Sequence, residues 1–406
     1  MASLSIRLQP RPEPGRGIAA SLFRWLSLAL MAAVIAGCVP RSTRPTAQLP
    51  TEPVLRPEEP RVNPRLPADE TRNRVAVLVP LSGRDAALGQ SILNAANLAL
   101  LDSPGGDRIR ITSYDTAAAG GAVRAANEAI AEGSGLILGP LLAEDVRAVA
   151  PIARENAVPV IAFSNDTSVA GNGVFLMGFT PGQSIARVVN FARERGAQSF
   201  GALVPTNVYG ERASQAMTRA VEGARGRLVG IQTFDPSAAG VRGAATRLLA
   251  QGAPDAVLLA DVPRAILAGV PVVRAASPAP HLLATERWAS EGNIGANVAL
   301  RGAWFAAPSD GVYTQFRTRY RARYNAQPFR LASMGYDAVL LTVRVAANWQ
   351  IGRTFPIREL RDPQGFSGVD GAFRFGRDGV ADRALEVREV TAAGTNVVSP
   401  APRGFN

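Results

Sequence analysis

Residues 74–83 read Arg74-Val-Ala-Val-Leu-Val-Pro-Leu-Ser-Gly83, and this stretch decides the fold. Five consecutive apolar residues, three of them valine, suit a strand buried on both faces; the Pro-Leu-Ser-Gly that follows ends it in a turn. The same pattern recurs downstream at Arg108–Ser113, Leu136–Leu138 and Val158–Phe163, then at Ser199–Val204, Leu228–Phe234, Ala256–Leu259 and His281–Ala284. The intervening segments have helical periodicity. In 145–155, Val146, Val149, Ile152 and Ala153 share one face while Arg147, Arg154 and Glu155 take the other; in 209–221, Ala213, Met217, Ala220 and Val221 do the same.

Strands alternating with amphipathic helices predict α/β architecture, with parallel sheets covered by helices on both sides. Two successive sets of four units, joined near Gly178–Gly182, predict two Rossmann-like lobes. Ligands of open parallel sheets bind at the carboxyl ends of strands. Those ends carry Ser82, Asp115, Leu141, Ser164, Asn165, Asp261 and Glu286, and Tyr209 opens the helix after the fifth strand. These eight residues are the candidates for a ligand cleft. Each is also a natural turn former, helix cap or surface group, and only their convergence argues for a site.

Upstream of residue 74 the composition changes. Residues 39–73 hold eight prolines (40, 45, 50, 53, 57, 60, 64 and 67) and few large apolar residues, the signature of an extended tether. At roughly 3.1 Å per residue it spans up to about 100 Å. Before it, Arg7, Arg11, Arg16 and Arg24 precede an apolar run from Trp25 to Ala36, too short for a bilayer span but suited to the core of a secretory signal. The run ends Ile35-Ala36-Gly37-Cys38. This is similar to the lipobox of bacterial lipoproteins, and Cys38 is the only thiol in 406 residues. The expectation is a signal peptide over 1–37 and membrane attachment through lipidated Cys38. Val39 after the cysteine favours the outer membrane by resemblance to lipoprotein sorting rules.

All 44 basic residues are arginine, and there is one histidine, His281. Schiff-base chemistry and Walker-type phosphate loops are therefore excluded, and His-rich zinc sites with them. The charge of +11 divides into +4 over residues 1–72 and +7 over the remainder (34 Arg against 27 acids), with aromatics at 6%. That is not the clustered, aromatic-interleaved pattern of a nucleic-acid binder. Arg317, Arg319, Arg321 and Arg323 form the densest basic run, spread around one helix by their two-residue spacing. Glu144, Asp145, Asp261 and Glu286 are the carboxylates that a glycoside-cleaving reading would need, but nothing in the sequence fixes a pair of them at a working separation. No enzyme and no cofactor is expected. Trp288 and Trp304 read as core residues, with sugar stacking as the alternative.

Val75–Gly83 with Gly89 and Asn97-Leu-Ala99, Gly135–Pro140, Val158–Ile161, Tyr209-Gly-Glu211, Tyr336-Asp-Ala338, and Phe366–Gly368 with Phe373–Gly376 together resemble the leucine/isoleucine/valine-type periplasmic binding proteins. The order is preserved from about 74 to 391. The resemblance implies two lobes hinged by three crossovers, divided here as 74–179 plus 309–362 and 180–308 plus 363–398. It also implies a small polar ligand, its carboxylate held by hydroxyls and N–H groups after the third strand and its ammonium by an acid of the second lobe. Here the third-strand loop reads Leu141-Leu-Ala-Glu-Asp145, and Phe234–Gly240 offers no glutamate where the family places one. The lipobox, the tether and the run Gly139–Arg147 with Ala162–Ser164 resemble the penicillin-binding protein activators. The best-known of these carry a helical-repeat domain where this sequence places the tether. That second resemblance implies a peptidoglycan synthase as partner; the first implies an amino-acid receptor of an importer.

Overall fold

The computed structural model describes residues 71–405, so Cys38, the signal segment and nearly all of the tether lie outside it. Strands β1 (Asn73–Val79), β2 (Ile109–Asp115), β3 (Leu136–Leu138), β4 (Val160–Ala162) and β5 (Val174–Leu176) form a wholly parallel sheet in the order β2-β1-β3-β4-β5. Helices α1 (Ala86–Asp102), α2 (Gly121–Ala131) and α3 (Ala143–Glu155) connect them. The second lobe begins with α4 (Pro181–Glu194) and runs through β6 (Ser199–Pro205), α5 (Val208–Gly223), β7 (Arg227–Phe234), α6 (Ala238–Ala250), β8 (Ala256–Leu259), β9 (His281–Ala284) and β10 (Trp304–Ala307). These strands are parallel in the order β10-β9-β8-β6-β7.

The chain then returns to the first lobe as α7 (Asp310–Tyr324) and α8 (Ala332–Ala346) and forms a small antiparallel sheet of β11 (Phe366–Gly368), β12 (Gly371–Phe375) and β13 (Ala381–Arg383). It ends in the second lobe as β14 (Glu386–Thr391) and β15 (Gly394–Ser399), with β14 antiparallel to β10. The α/β class, the parallel sheets and the two Rossmann-like lobes are as the sequence predicts. β5 and β10 are additions to the strands read from the sequence, as are the antiparallel strands β11 to β15.

Sheet alternation explains the unbroken apolar runs. Val75, Val77 and Val79 enter the core shared with α1, α7 and α8, while Ala76 and Leu78 enter the one shared with α2 and α3; all five are fully buried. In β6, Ala202 and Val204 face one core and Leu203 the other. Each fully buried Val or Leu side chain is worth about 1.5–3 kcal/mol of transfer free energy, so neither face of these strands tolerates a polar residue. The two lobes share one device for seating a helix on a strand end. A Cβ on Gly89 would lie 1.8 Å from the Pro80 carbonyl oxygen, and one on Gly210 would lie 1.8 Å from that of Pro205.

The division of the C-terminal segment differs from the sequence reading, which gave all of 363–398 to the second lobe. Phe366, Val369, Phe373, Phe375 and Ala381 pack in the first lobe's core with Phe175, Phe355 and Leu360. The cause lies on α8. Asp337, fully buried, accepts the Val369 N–H at 2.7 Å, and a Cβ on Gly368 would come within 2.3 Å of its Oδ2. Only from Leu385 onward does the chain enter the second lobe's core.

Three crossovers join the lobes: Met177–Thr180, Pro308–Ser309 and Ala384–Leu385. Two buried arginines tie them together. Arg383 donates to the Met177 carbonyl oxygen at 2.6 Å, with its guanidinium 4.5 Å from the Phe179 ring centroid. Arg388 donates to the Pro308 carbonyl at 2.8 Å, to Glu386 at 2.6 Å and to Asp310 at 2.5 Å. Asp310 also receives Arg330 at 3.2 Å, and Arg330 reaches the fully buried Asp370 at 2.6 Å. Burial pushes the Asp337 carboxyl up, with repulsion from Asp370 adding to it.

Candidate functional site

A cleft of about 500 Å³ opens between the lobes at the carboxyl ends of β1, β3, β4 and β9. The first lobe contributes Arg84, Asp85 and Leu88 after β1, Leu141 and Leu142 after β3, and Phe163 and Asn165 after β4. The second lobe contributes Glu286, Arg287, Ala289 and Ser290 after β9. Phe179 and Pro308 of the crossovers and Arg330 and Met334 from the start of α8 and its approach complete the walls.

Three of the eight candidates, Leu141, Asn165 and Glu286, line this cleft; the other five stand behind it, each with a partner of its own. Asp115 accepts the Leu81 and Ala117 N–H groups at 2.8 and 2.9 Å. Burial works to raise its pKa, but these bonds and the Ser82 hydroxyl prevail and hold it below the usual range, so Ser82 and Asp115 together fasten the ends of β1 and β2. Ser164, buried, accepts the Asp166 N–H at 3.1 Å. Tyr209 shares a hydrogen bond with Thr285 at 2.9 Å, and Arg287 lies 4.5 Å over its ring. Asp261 pairs with Arg287 at 3.1 Å, and its backbone carbonyl accepts the Trp288 indole N–H at 2.8 Å. Trp288 and Trp304 are both core residues, and Trp304 stacks on His281 with centroids 4.5 Å apart.

Glu286 is the second-lobe acid that Phe234–Gly240 does not supply. No residue of that segment lines the cleft; the acid that does stands after β9. Burial pushes its carboxyl up to about 7, against a hydrogen bond donated by Ser184 and the nearby charge of Arg287. Opposite it, α3 begins with Leu142 as an N-cap whose side chain makes no capping bond and carries Glu144 and Asp145 in its first turn. Burial, with repulsion from Glu144, raises the Asp145 carboxyl. A carboxylate near a helix N-terminus is favoured by the dipole, but it repels any ligand carboxylate brought to the same place.

Asp166 is not among the eight candidates although it follows two of them directly. It is buried in the loop after β4, where it accepts the Ser168 N–H at 3.0 Å, and it pairs with Arg147 of α3 at 2.6 Å and Arg212 of α5 at 2.7 Å. Arg147 belongs to the first lobe and Arg212 to the second, so this carboxylate links the lobes. Burial opposes its ionisation, but Ser168 and the two guanidinium groups hold it below the usual carboxylate range. The cleft arginines carried no local signal: Arg330 reaches the site only through the return of the chain, held by Asp310, Asp370 and the Tyr313 ring at 3.7 Å.

A family model described as periplasmic binding protein matches residues 73–395, nearly the whole described body. The chain belongs to the periplasmic binding protein family. Solved structures agree on the type I, leucine-binding-like fold. A putative branched-chain amino acid ABC transporter protein from Rhodospirillum rubrum is 21% identical with a TM-score of 0.72, covering 80% of this chain and 100% of that one. The LpoA (YraM) C-domain from Haemophilus influenzae, described as a regulator of PBP1A, is 18% identical with a TM-score of 0.66, also covering 80% and 100%. An uncharacterised protein of Rickettsia prowazekii is 28% identical over 143 residues, a match spanning 35% of this chain and 38% of that relative. These relatives include binding proteins and a regulator. Among the described residues of this family member, no helix is long and apolar enough to cross a membrane.

Proposed function

We propose that this periplasmic binding protein is a non-catalytic lipoprotein, anchored through Cys38 to the outer membrane, that regulates a peptidoglycan synthase by direct contact. The observation that carries this reading is the link Arg212–Asp166–Arg147, in which the protein's own side chains hold lobe to lobe. A receptor reports its solute by closing on it, so its closure must depend on solute contacts. Here the strand-end polar groups are already engaged with each other, and the start of α3 offers the cleft Leu141 and Leu142, with Glu144 and Asp145 following in its first turn. The body then serves as a shaped surface, carried away from the lipid by the 39–73 tether. The likeness to the LpoA C-domain points to the same class of partner.

A second reading rests on Glu286. An acid facing a 500 Å³ cleft suits a small ligand bearing an ammonium or another hydrogen-bond donor, as in a receptor feeding an importer. One experiment separates the two. The detergent-solubilised full chain is tested for capture of purified bifunctional synthases and, in parallel, for a melting-temperature shift with a panel of amino acids and muropeptides. Synthase capture with no amino-acid shift is expected. Tight binding of an amino acid with no synthase captured would overturn the regulator reading in favour of the receptor.

A further inference from the structure

The interlobe cleft does not end at its back wall. Leu88, Ala289, Ser290, Arg330 and Leu331 line both it and a second hollow of about 700 Å³, which reaches Tyr313, Thr314, Arg317 and Phe329. Arg317 in turn lines a third hollow of about 640 Å³ that runs along α7 past Thr318 and Arg321 to Asn325 and Gln327. The first two hollows share five lining residues and the third adjoins them through the Arg317 side chain, so that together they lead from the lobe seam along the exposed face of α7.

Its chemistry is specific in two respects. Arg317 and Arg321 lie one helical turn apart on the same face, exposed, and neither has a carboxylate partner among the described residues; their neighbours Arg319 and Arg330 are paired with Asp102 and with Asp310 and Asp370. Asp310, the one acid lining the outer groove, is already held by Arg330 and Arg388. Beside these free cations Phe329 is 50% exposed, a large aromatic left in water at the groove wall.

We propose that this groove is a docking surface for an extended acidic peptide segment of a partner protein. Geometry selects the extended form. Thr314 to Asn325 spans about 16 Å at 1.5 Å per helical residue, the length of about five residues of strand. Arg317 and Arg321, four residues apart, are separated by about 6 Å along the helix axis, which is close to the spacing of about 6.6 Å between alternate side chains on one face of an extended peptide. A Glu-X-Glu run therefore places both carboxylates on the two guanidinium groups, and an adjacent apolar residue covers Phe329. Because Ser290 and Gly292 of the second lobe also line the groove, an occupant touches both lobes and binds one lobe separation better than another. The surface deepens the regulator reading and rests on it for the identity of the partner.

The test uses the full chain in detergent and a fluorescein-labelled ten-residue peptide carrying Phe and a Glu-Ala-Glu run, with its Gln-Ala-Gln counterpart. R317E/R321E is compared with R242E/R264E, which makes the same charge change at exposed arginines of the second lobe. Anisotropy should show the acidic peptide weakened by about tenfold or more in R317E/R321E and by less than about twofold in R242E/R264E, with the Gln peptide binding poorly throughout. R317Q/R321Q serves if the reversal lowers the melting temperature. Equal loss in both variants, or none in either, overturns the surface. So does binding to phosphatidylglycerol vesicles that depends on Arg317 and Arg321 without peptide binding, since the face then meets lipid. Capture of purified bifunctional synthases distinguishes the failures: none captured by the unaltered chain refutes the regulator reading, whereas equal capture by the unaltered chain and R317E/R321E refutes the docking surface.

Discussion

Replacing Glu286 with glutamine should change how stability depends on pH, in a direction fixed by the site. The carboxyl titrates at 4.5 when free and near 7 in the fold, where burial disfavours its charge. Because the folded value is the higher one, the folded protein keeps a proton between these limits that the unfolded chain has released. The folded state is therefore progressively destabilised as pH rises from about 4.5 to about 7, and the loss is constant above that. At about 1.4 kcal/mol per pH unit the loss reaches at most about 3 kcal/mol, reduced by whatever water in the cleft screens. In Glu286→Gln the side chain is neutral at every pH and its amide oxygen can still accept from Ser184, so the variant escapes the loss.

Urea unfolding of both proteins at pH 4, 5.5, 7 and 8 checks this. The quantity to follow is the difference between them, because Asp337, also raised by burial, contributes to both curves with the same sign and cancels. The variant should match the parent near pH 4 and exceed it by about 1–3 kcal/mol at pH 8. A difference that stays flat would mean that the carboxyl titrates in the fold as it does when free, and a parent that gains on the variant as pH rises would mean that it is ionised and paired; either result defeats the argument from burial.

Three further outcomes follow from the packing. Arg212→Ala removes the lobe-to-lobe ion pair while leaving Arg147 on Asp166; it should cost only about 1 kcal/mol but raise the radius of gyration in X-ray scattering, and an unchanged radius would refute the latch. Arg383→Met keeps the length of a side chain packed on Phe179 and Phe373 but leaves Asp337 and Asp370 short of a buried cation, which should cost about 3–5 kcal/mol in urea at neutral pH. Gly210→Ala drives a Cβ to 1.8 Å from the Pro205 carbonyl oxygen and should cost about 3 kcal/mol, whereas Gly223→Ala on the same helix meets nothing within 4 Å and should be neutral or slightly stabilising; equal melting temperatures would show that α5 can shift on β6.

The strands that follow one another along each sheet are legible in sequence because both faces are buried, which turns them into continuous apolar runs. β5 and β10 are not: β5 stands among Gly171, Gly173 and Gly178, which read as turns, and β10 follows a series of short 3-10 turns rather than an amphipathic helix. The segment after Asp362 is legible only through the family motifs Phe366–Gly368 and Phe373–Gly376, and its place in the first lobe is held by contacts such as the one between Asp337 and the Val369 N–H, across 32 residues, which no local pattern encodes. The cleft divides the same way. Asn165 and Glu286 are readable because the carboxyl end of a parallel strand is a predictable place. Arg330 and Met334 arrive through the third dimension, and Asp166 is visible in sequence only as one more turn former. Its role comes from Arg212, which the fold brings from the other lobe.

The absence of lysine, at first a matter of composition, bears on how the hinge is built. A guanidinium is a planar fork that can donate in several directions while its face lies on an aromatic ring; an ammonium is a compact point charge without that flat face. Arg383 uses both properties at once, donating to the Met177 carbonyl while lying against Phe179 and Phe373. Arg388 spreads three donors over Glu386, Asp310 and the Pro308 carbonyl, so the third crossover is fixed to the first by one arginine and to the second by the other. Any change in lobe separation must therefore turn about a charged, hydrogen-bonded line that resists shear. The Arg212–Asp166 pair involves none of the crossover residues, so its release leaves that line intact. A partner gripping the groove between Ser290 and α7 acts across the same seam, so it can bias that release without entering the cleft.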